Sequence, residues 1–139
     1  MILEINSTNN FSFNDLHDCI VTNAFIKNDI LTLLIDGQHD SVKCFDKEEI
    51  IVDFYLTKDF SDIDASISLI STSIWQKTSF LTLNGFIQLC TNKKYDFEIM
   101  NMYCNGKNFC IIGFLTNQNH RERKRKVVWE LSVDKVIYR

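Results

Sequence analysis

Proline is absent from all 139 residues, and glycine occurs only 4 times. Without proline, the edges of any sheet must be guarded by charge and by bulges. The apolar stretches are short as well. Leu33–Leu34–Ile35 is typical, with polar residues intervening within a few positions, so no segment reads as a membrane span. The opening MILEINSTNNF has no basic region followed by a long apolar one, and no secretory signal is expected there. No internal repeat, low-complexity segment, linker, nucleotide-binding loop or nucleophile motif is visible.

The cysteines exclude as much as they suggest. Cys19, Cys44, Cys90, Cys104 and Cys110 are odd in number, irregularly spaced and free of any C-x-x-C. They read as small buried apolar residues in a reducing cytoplasm. Cys104 and Cys110 flank Asn105–Gly106, a turn signal that would let them face each other across a hairpin. The histidines His17, His39 and His120 are far apart. A zinc site needs three or four convergent ligands, so no metal and no cofactor is expected.

What is present belongs to one folded domain spanning 1–139. Apolar residues make up 45% and charged residues 24%, a globular balance, and a chain this long buries about two-thirds of its unfolded surface. Alternation with period two dominates. Ile50, Val52, Phe54 and Leu56 alternate with more polar positions; so do Ile63, Ala65, Ile67 and Leu69; then Tyr95, Phe97 and Ile99; then Val127, Trp129, Leu131 and Val133. Such runs predict antiparallel strands packed on one face and wet on the other.

About nine strands are expected, over 2–6, 19–27, 30–36, 41–45, 49–57, 63–74, 79–90, 94–104 and 107–116, with 126–138 as a tenth or a replacement for the weakest. Turn signals at Lys27–Asn28–Asp29, Asp36–Gly37, Asn92–Lys93–Lys94 and Asn105–Gly106 separate them. The last suggests a type I′ hairpin. Phe109–Leu115 (FCIIGFL) is almost wholly apolar and predicts a central strand covered on both faces. Phase slips near Ile70–Ile74, Met100–Met102 and Lys135–Val136 read as β-bulges. Ser12–Cys19 is compatible with a short helical turn, and 79–90 with a helix instead of a strand. The fold class is therefore all-β or β-dominated α+β: an antiparallel meander forming a sandwich or half-closed barrel, with at most one or two short helices.

Charge is divided along the chain. Residues 1–70 hold 13 acidic residues against Lys27, Lys43, Lys47 and Lys58, whereas residues 71–139 hold 5 against 11 basic ones. If the halves map to different faces, the surface carries a dipole that steers charged partners. Strands 49–57 and 63–69, paired as a meander, would project Asp53 and Asp64 from a wet face. Asp46, Glu48, Glu49, Asp59 and Asp62 would surround them, and Tyr55 would supply aromatic contact area. Aromatic anchors inside a complementary charged surround suit a protein interface. The run His120–Lys126 concentrates positive charge. As the long tip of a hairpin, Arg121, Arg123, Lys124, Arg125 and Lys126 would grip phosphates in a salt-dependent way. Trp129, on the packed face, would supply no stacking platform there.

Leu16–His17–Asp18–Cys19–Ile20 places a histidine and a carboxylate beside a cysteine, the residue types of nucleophilic catalysis. Alternation separates Asp18 from the other two, and no oxyanion turn follows. A turn closed by polar side chains beside a buried Cys19 is the expectation, and no enzyme is predicted. That segment, a polar break, Ile30–Leu31–Thr32–Leu33–Leu34–Ile35 and then Asp36–Gly37 resemble the opening of small β-rich immunity proteins of bacterial contact-dependent and polymorphic toxin systems. The resemblance covers about twenty residues of the 139. It implies a cytoplasmic antitoxin that neutralises one cognate toxin, a role in contact-dependent growth inhibition; no functional residue carries across. An acidic inhibitor face would suit a nuclease toxin with a basic groove. The alternative is a nucleic-acid-associated module using 121–126.

Overall fold

Alternation decides which side of each strand is buried, and in the computed structural model it does so nearly throughout. The structure describes residues 4–6, 11–12, 16–36, 49–57, 66–71 and 78–138. The expected strand at 41–45 lies outside them. Among the described residues, ten strands form one sheet with antiparallel ladders. They are β1 (Glu4–Asn6), β2 (Phe11–Ser12), β3 (Ile20–Lys27), β4 (Ile30–Asp36), β5 (Glu49–Leu56), β6 (Ser66–Ser71), β7 (Thr78–Leu81), β8 (Tyr95–Asn105), β9 (Asn108–Asn117) and β10 (His120–Tyr138). One helix, α1 (Leu83–Thr91), follows β7. The β-dominated class expected from periodicity is the class observed.

Six strands run as a ring: β8, β3, β4, β5, β10, β9 and back to β8. The β3–β8 seam is short, with Ile20 opposite Glu98 and Val21 opposite Phe97. It is extended by Asp18 N donating to Ile99 O and Ile99 N to Cys19 O, both at 2.8 Å. β10 is the organising strand, pairing with β1, β5, β6 and β9. The pairing shifts between Val133 and Lys135, so Asp134 marks a bulge, close to the expected slip. A second expected bulge falls at Met100, between Ile99 and Asn101.

The inner faces form one core. Ile50, Val52, Phe54, Leu56, Ile67, Leu69, Phe97, Ile99, Val127, Trp129, Leu131 and Val133 are all buried, as alternation predicts. Helix α1 packs on this core through Leu83, Phe86 and Cys90. The Phe86 ring meets Phe97 edge-on at 5.1 Å and Trp129 at 4.6 Å. Trp129 Nε1 is buried without a hydrogen-bond partner, a polar penalty of about 1–3 kcal/mol accepted for a large ring at the centre.

Several expectations are corrected. Residues 79–90 are neither one strand nor one helix: β7 ends at Leu81 and α1 begins at Leu83. Thr82 makes the switch, its Oγ1 accepting from Gly85 N at 3.0 Å as an N-cap. The Asn105–Gly106 hairpin exists, but Asn105 pairs with Asn108 and the two-residue loop is Gly106–Lys107. Gly106 has φ 61° and Lys107 has no positive φ, the pattern of a type II′ turn rather than I′. The Asn28–Asp29 turn, with φ of 52° and 59°, has the type I′ pattern instead. Cys104 stands opposite Phe109 and Cys110 opposite Tyr103. The two cysteines are therefore not cross-strand partners, and Cys110 is a free thiol.

FCIIGFL is central, between β8 and β10, but it is covered on one face only. Phe109, Ile111, Gly113 and Leu115 are buried while Cys110, Ile112 and Phe114 are half-buried. Gly113 is required by close approach, since a Cβ there would lie 2.3 Å from Glu98 O and 2.7 Å from Phe97 Cε2.

Candidate partner-binding face

The expected acidic surface assumed that β5 and β6 pair with each other. Both pair with β10 instead. The C-terminal half of the chain is thus threaded among strands of the N-terminal half, β10 beside β5 and β6, and β8 beside β3. The two halves of the sequence do not separate into two ends of the molecule. The reason is topological: alternation fixes the buried side of a strand but not its neighbour.

Of the residues expected on that surface, Glu49 is exposed, Tyr55 half-buried and Asp53 buried at 5% exposure. Asp46, Glu48, Asp59, Asp62 and Asp64 lie outside the described residues. Ile51, Asp53 and Tyr55 do share the outer face of β5, because Val52, Phe54 and Leu56 fill the inner one. Asp53 is not on a wet face, however. Its Oδ1 accepts from Thr32 Oγ1 at 2.7 Å across the β4–β5 ladder. Thr32 is itself only 5% exposed.

The register builds this outer face row by row. Phe25, Thr32 and Asp53 form one row; Lys27, Ile30, Tyr55 and Lys135 the next. Phe25, 45% exposed, stands clear of the surface. Between these rows lies an open depression of about 410 Å³ lined by Phe25, Lys27, Ile30, Thr32, Asp53 and Tyr55, with Asn28 at the turn. In the other direction come half-buried Leu34 and Ile51, then Asp36 directly opposite Glu49. Both carboxylates are exposed, and like charges facing across a ladder disfavour the pairing. Lys135 Nζ sits 5.3 Å from the Tyr55 ring centroid, on the β10 side. The depression was not legible in the sequence, because Phe25 comes from a third strand, and no local signal places that strand beside β5's neighbour.

The basic run is not a hairpin tip. The β9–β10 turn is Gln118–Asn119, with His120 opposite Asn117. Pairing then jumps to Lys124 opposite Thr116, leaving Arg121–Arg123 as an irregular bulge. Arg125 and Lys126 are held in ladders on both sides, opposite Leu115 and Phe114 on β9 and Ser71 and Ile70 on β6. Arg121, Lys124 and Lys126 are exposed, and Arg125 is half-buried. Lys124 Nζ lies 5.9 Å from the Phe114 ring centroid. An aromatic ring thus accompanies these cations, although Trp129 faces inward as expected.

At the third candidate, His17 Nδ1 contacts Asp18 Oδ2 at 2.8 Å, while Cys19 is buried with Sγ 3.8 Å from the His17 carbonyl oxygen. The imidazole engages the carboxylate and the thiol engages backbone. Asp18 adopts φ 65° and closes the turn before β3. Cys110 is raised above the ordinary thiol range, by burial first and by the Glu130 carboxylate second. Among the described residues, no group of three or more His, Cys, Asp and Glu side chains is placed to hold a metal ion. Among them, too, no helix is long and apolar enough to cross a membrane. Comparison with protein-family models, with curated proteins and with solved structures found no match to this chain.

Proposed function

We propose that this chain is a non-enzymatic protein-binding module that docks its partner on the outer face of β3, β4 and β5. The observation carrying this reading is the combination of exposed Phe25, half-buried Ile51 and Tyr55, and the facing carboxylates Asp36 and Glu49 on one rigid wall. Aromatic anchors with a pair of carboxylates at one end of the same face suit a partner that brings opposite charge there. The biological setting is the one implied by the resemblance of the 16–37 segment: an immunity protein neutralising a cognate toxin whose surface is basic, as a nuclease's is.

The test is binding to a toxin encoded beside this chain's own gene, by calorimetry at two ionic strengths. Charge reversal of Asp36 and Glu49 to lysine should weaken binding and flatten its salt dependence. Affinity unchanged by both would refute this interface. Asp53 is left out of the reversal, because a buried lysine there would unfold the ladder.

The nucleic-acid reading is favoured by a different observation, the Lys124–Phe114 stack beside exposed Lys126. Cations next to an outward ring can hold phosphate and stack a base. It calls for salt-sensitive anisotropy of a labelled single-stranded oligonucleotide, abolished when Arg121, Arg123, Lys124, Arg125 and Lys126 are replaced by serine.

A further inference from the structure

The strand order ends on β7, which pairs with β6 on one side and, among the described residues, with no strand on the other. An open edge presents unpaired N–H and C=O groups, a template for another strand, and proteins ordinarily blunt it with charge, proline or a bulge. Thr78–Leu81 (TSFL) uses none of these. It is neutral, free of proline and in unbroken register, from Leu81 opposite Ile67 to Thr78 opposite Ile70. It also carries the most exposed large apolar side chain among the described residues, Phe80 at 74%. Register puts Phe80 on the outer face, in one row with Ser68, Val128 and Ile112. β2, at the other end of the strand order, has only two residues and offers little to pair with.

We propose that β7 pairs antiparallel with β7 of a second copy of this chain, Phe80 opposite the partner's Phe80, joining the two sheets across a two-fold axis. The inference goes beyond the docking reading, since β6 and β10 separate β7 from β5 in the strand order. Identical edges make an isologous contact, in which the same patch must complement itself. A charged edge would set like charges against each other; TSFL carries no charge to repel its copy. Symmetry also restricts the register. A two-fold axis that makes an antiparallel seam stands perpendicular to the sheet and joins outer face to outer face. Residues directly opposite each other share a face, so even positions meet even ones and odd meet odd. The axis therefore passes through a residue, and the interior positions of TSFL are Ser79 and Phe80. Centring on Ser79 sets each ring against a threonine. Centring on Phe80 sets the two rings opposite each other, an aromatic cross-strand pair that removes apolar surface from water. Four residues a side fall short of a standard interface, about 800 Å² per partner, so the dimer is weak, with a dissociation constant on the order of 100 µM.

The experiment is sedimentation equilibrium of the full chain from about 10 µM to about 1 mM, a span that brackets this affinity. A reversible monomer–dimer equilibrium is expected. Phe80→Lys places two ammonium groups opposite each other and should weaken it at least roughly tenfold. Because Phe80 is so exposed, the variant should keep the parent's thermal midpoint. Mild oxidation of single-cysteine additions then reads the register without loss of the fold. Residues paired on the axis have Cα atoms about 4.5–5.5 Å apart, within disulfide reach, so Phe80→Cys should give a covalent dimer above the parent's background. Thr78→Cys stands two residues off the axis in each copy, about 13 Å from its mate along the strand, and should give none. A chain still monomeric at the highest concentration leaves the edge to a different protein and overturns the proposal. So does a dimer that Phe80→Lys leaves intact. A disulfide that forms faster from Ser79→Cys or Thr78→Cys than from Phe80→Cys overturns it as well.

Discussion

The Thr32 hydroxyl donates to Asp53 Oδ1 at 2.7 Å on the outer side of a ladder whose inner side is Leu31 opposite Phe54. A polar pair on the supposedly wet side of a sheet is thus buried, each residue only 5% exposed.

Thr32→Val removes the donor, keeps the shape and leaves a buried carboxylate short of one bond. Stability should fall by about 1–3 kcal/mol, read as a shift in urea midpoint. Asp53→Asn retains an acceptor for the hydroxyl and should be the milder change. Equal losses in the two variants would show that the hydroxyl contributes nothing specific.

Gly113→Ala tests the approach of β9 to β8. The added methyl would meet the Glu98 carbonyl at 2.3 Å and the Phe97 ring at 2.7 Å, and a backbone oxygen cannot rotate away. A loss of at least 1–3 kcal/mol, about what overpacking a core brings, is expected by thermal or denaturant unfolding. A near-neutral result would mean that the two strands separate easily. Gly85→Ala is the control. Its closest contact is the Thr82 Oγ1 at 3.2 Å, and alanine favours a helix.

Cys90 links stability to alkaline pH. Burial on α1 pushes its thiol up from 9.0 to about 12, so the folded state holds the proton more tightly than the unfolded state does. The contribution is complete below pH 9 and is lost progressively as pH rises from about 9 to about 12. Urea unfolding in that window should show Cys90→Ala losing less stability per pH unit than the parent. Parallel slopes would mean the thiol stays accessible. Near pH 8, the same burial should leave Cys90 unreactive to iodoacetamide until the chain unfolds.

The inner half of this architecture was readable because water penalises apolar surface on one side of a strand. Val127, Trp129, Leu131 and Val133 announce their shared face at once, and the Asn28–Asp29 turn is written in two residues that tolerate positive φ. What alternation cannot convey is adjacency. β5 and β6 follow each other in sequence, yet β10 pairs with both, and no local signal encodes a partner so distant. Asp53 misleads for a related reason: its position marks it as outward, but its burial depends on what surrounds it on neighbouring strands. The helical alternative for 79–90 has the right element but the wrong start, since the segment's apolar content suits a strand as well and α1 begins only at Leu83. The Thr82–Gly85 cap was the cue that divides the segment.

β10 has a consequence for how the molecule comes into being. Segments within 4–6, 52–56, 66–71 and 108–117 pair with it, so four segments wait on one that a ribosome makes after them. A nascent chain stalled short of residue 120 would expose the row Leu56, Ile67 and Leu69 with nothing to cover its open ladders. Such non-local pairing belongs to the slow end of folding, milliseconds to seconds, and makes that interval the one in which a chaperone matters most.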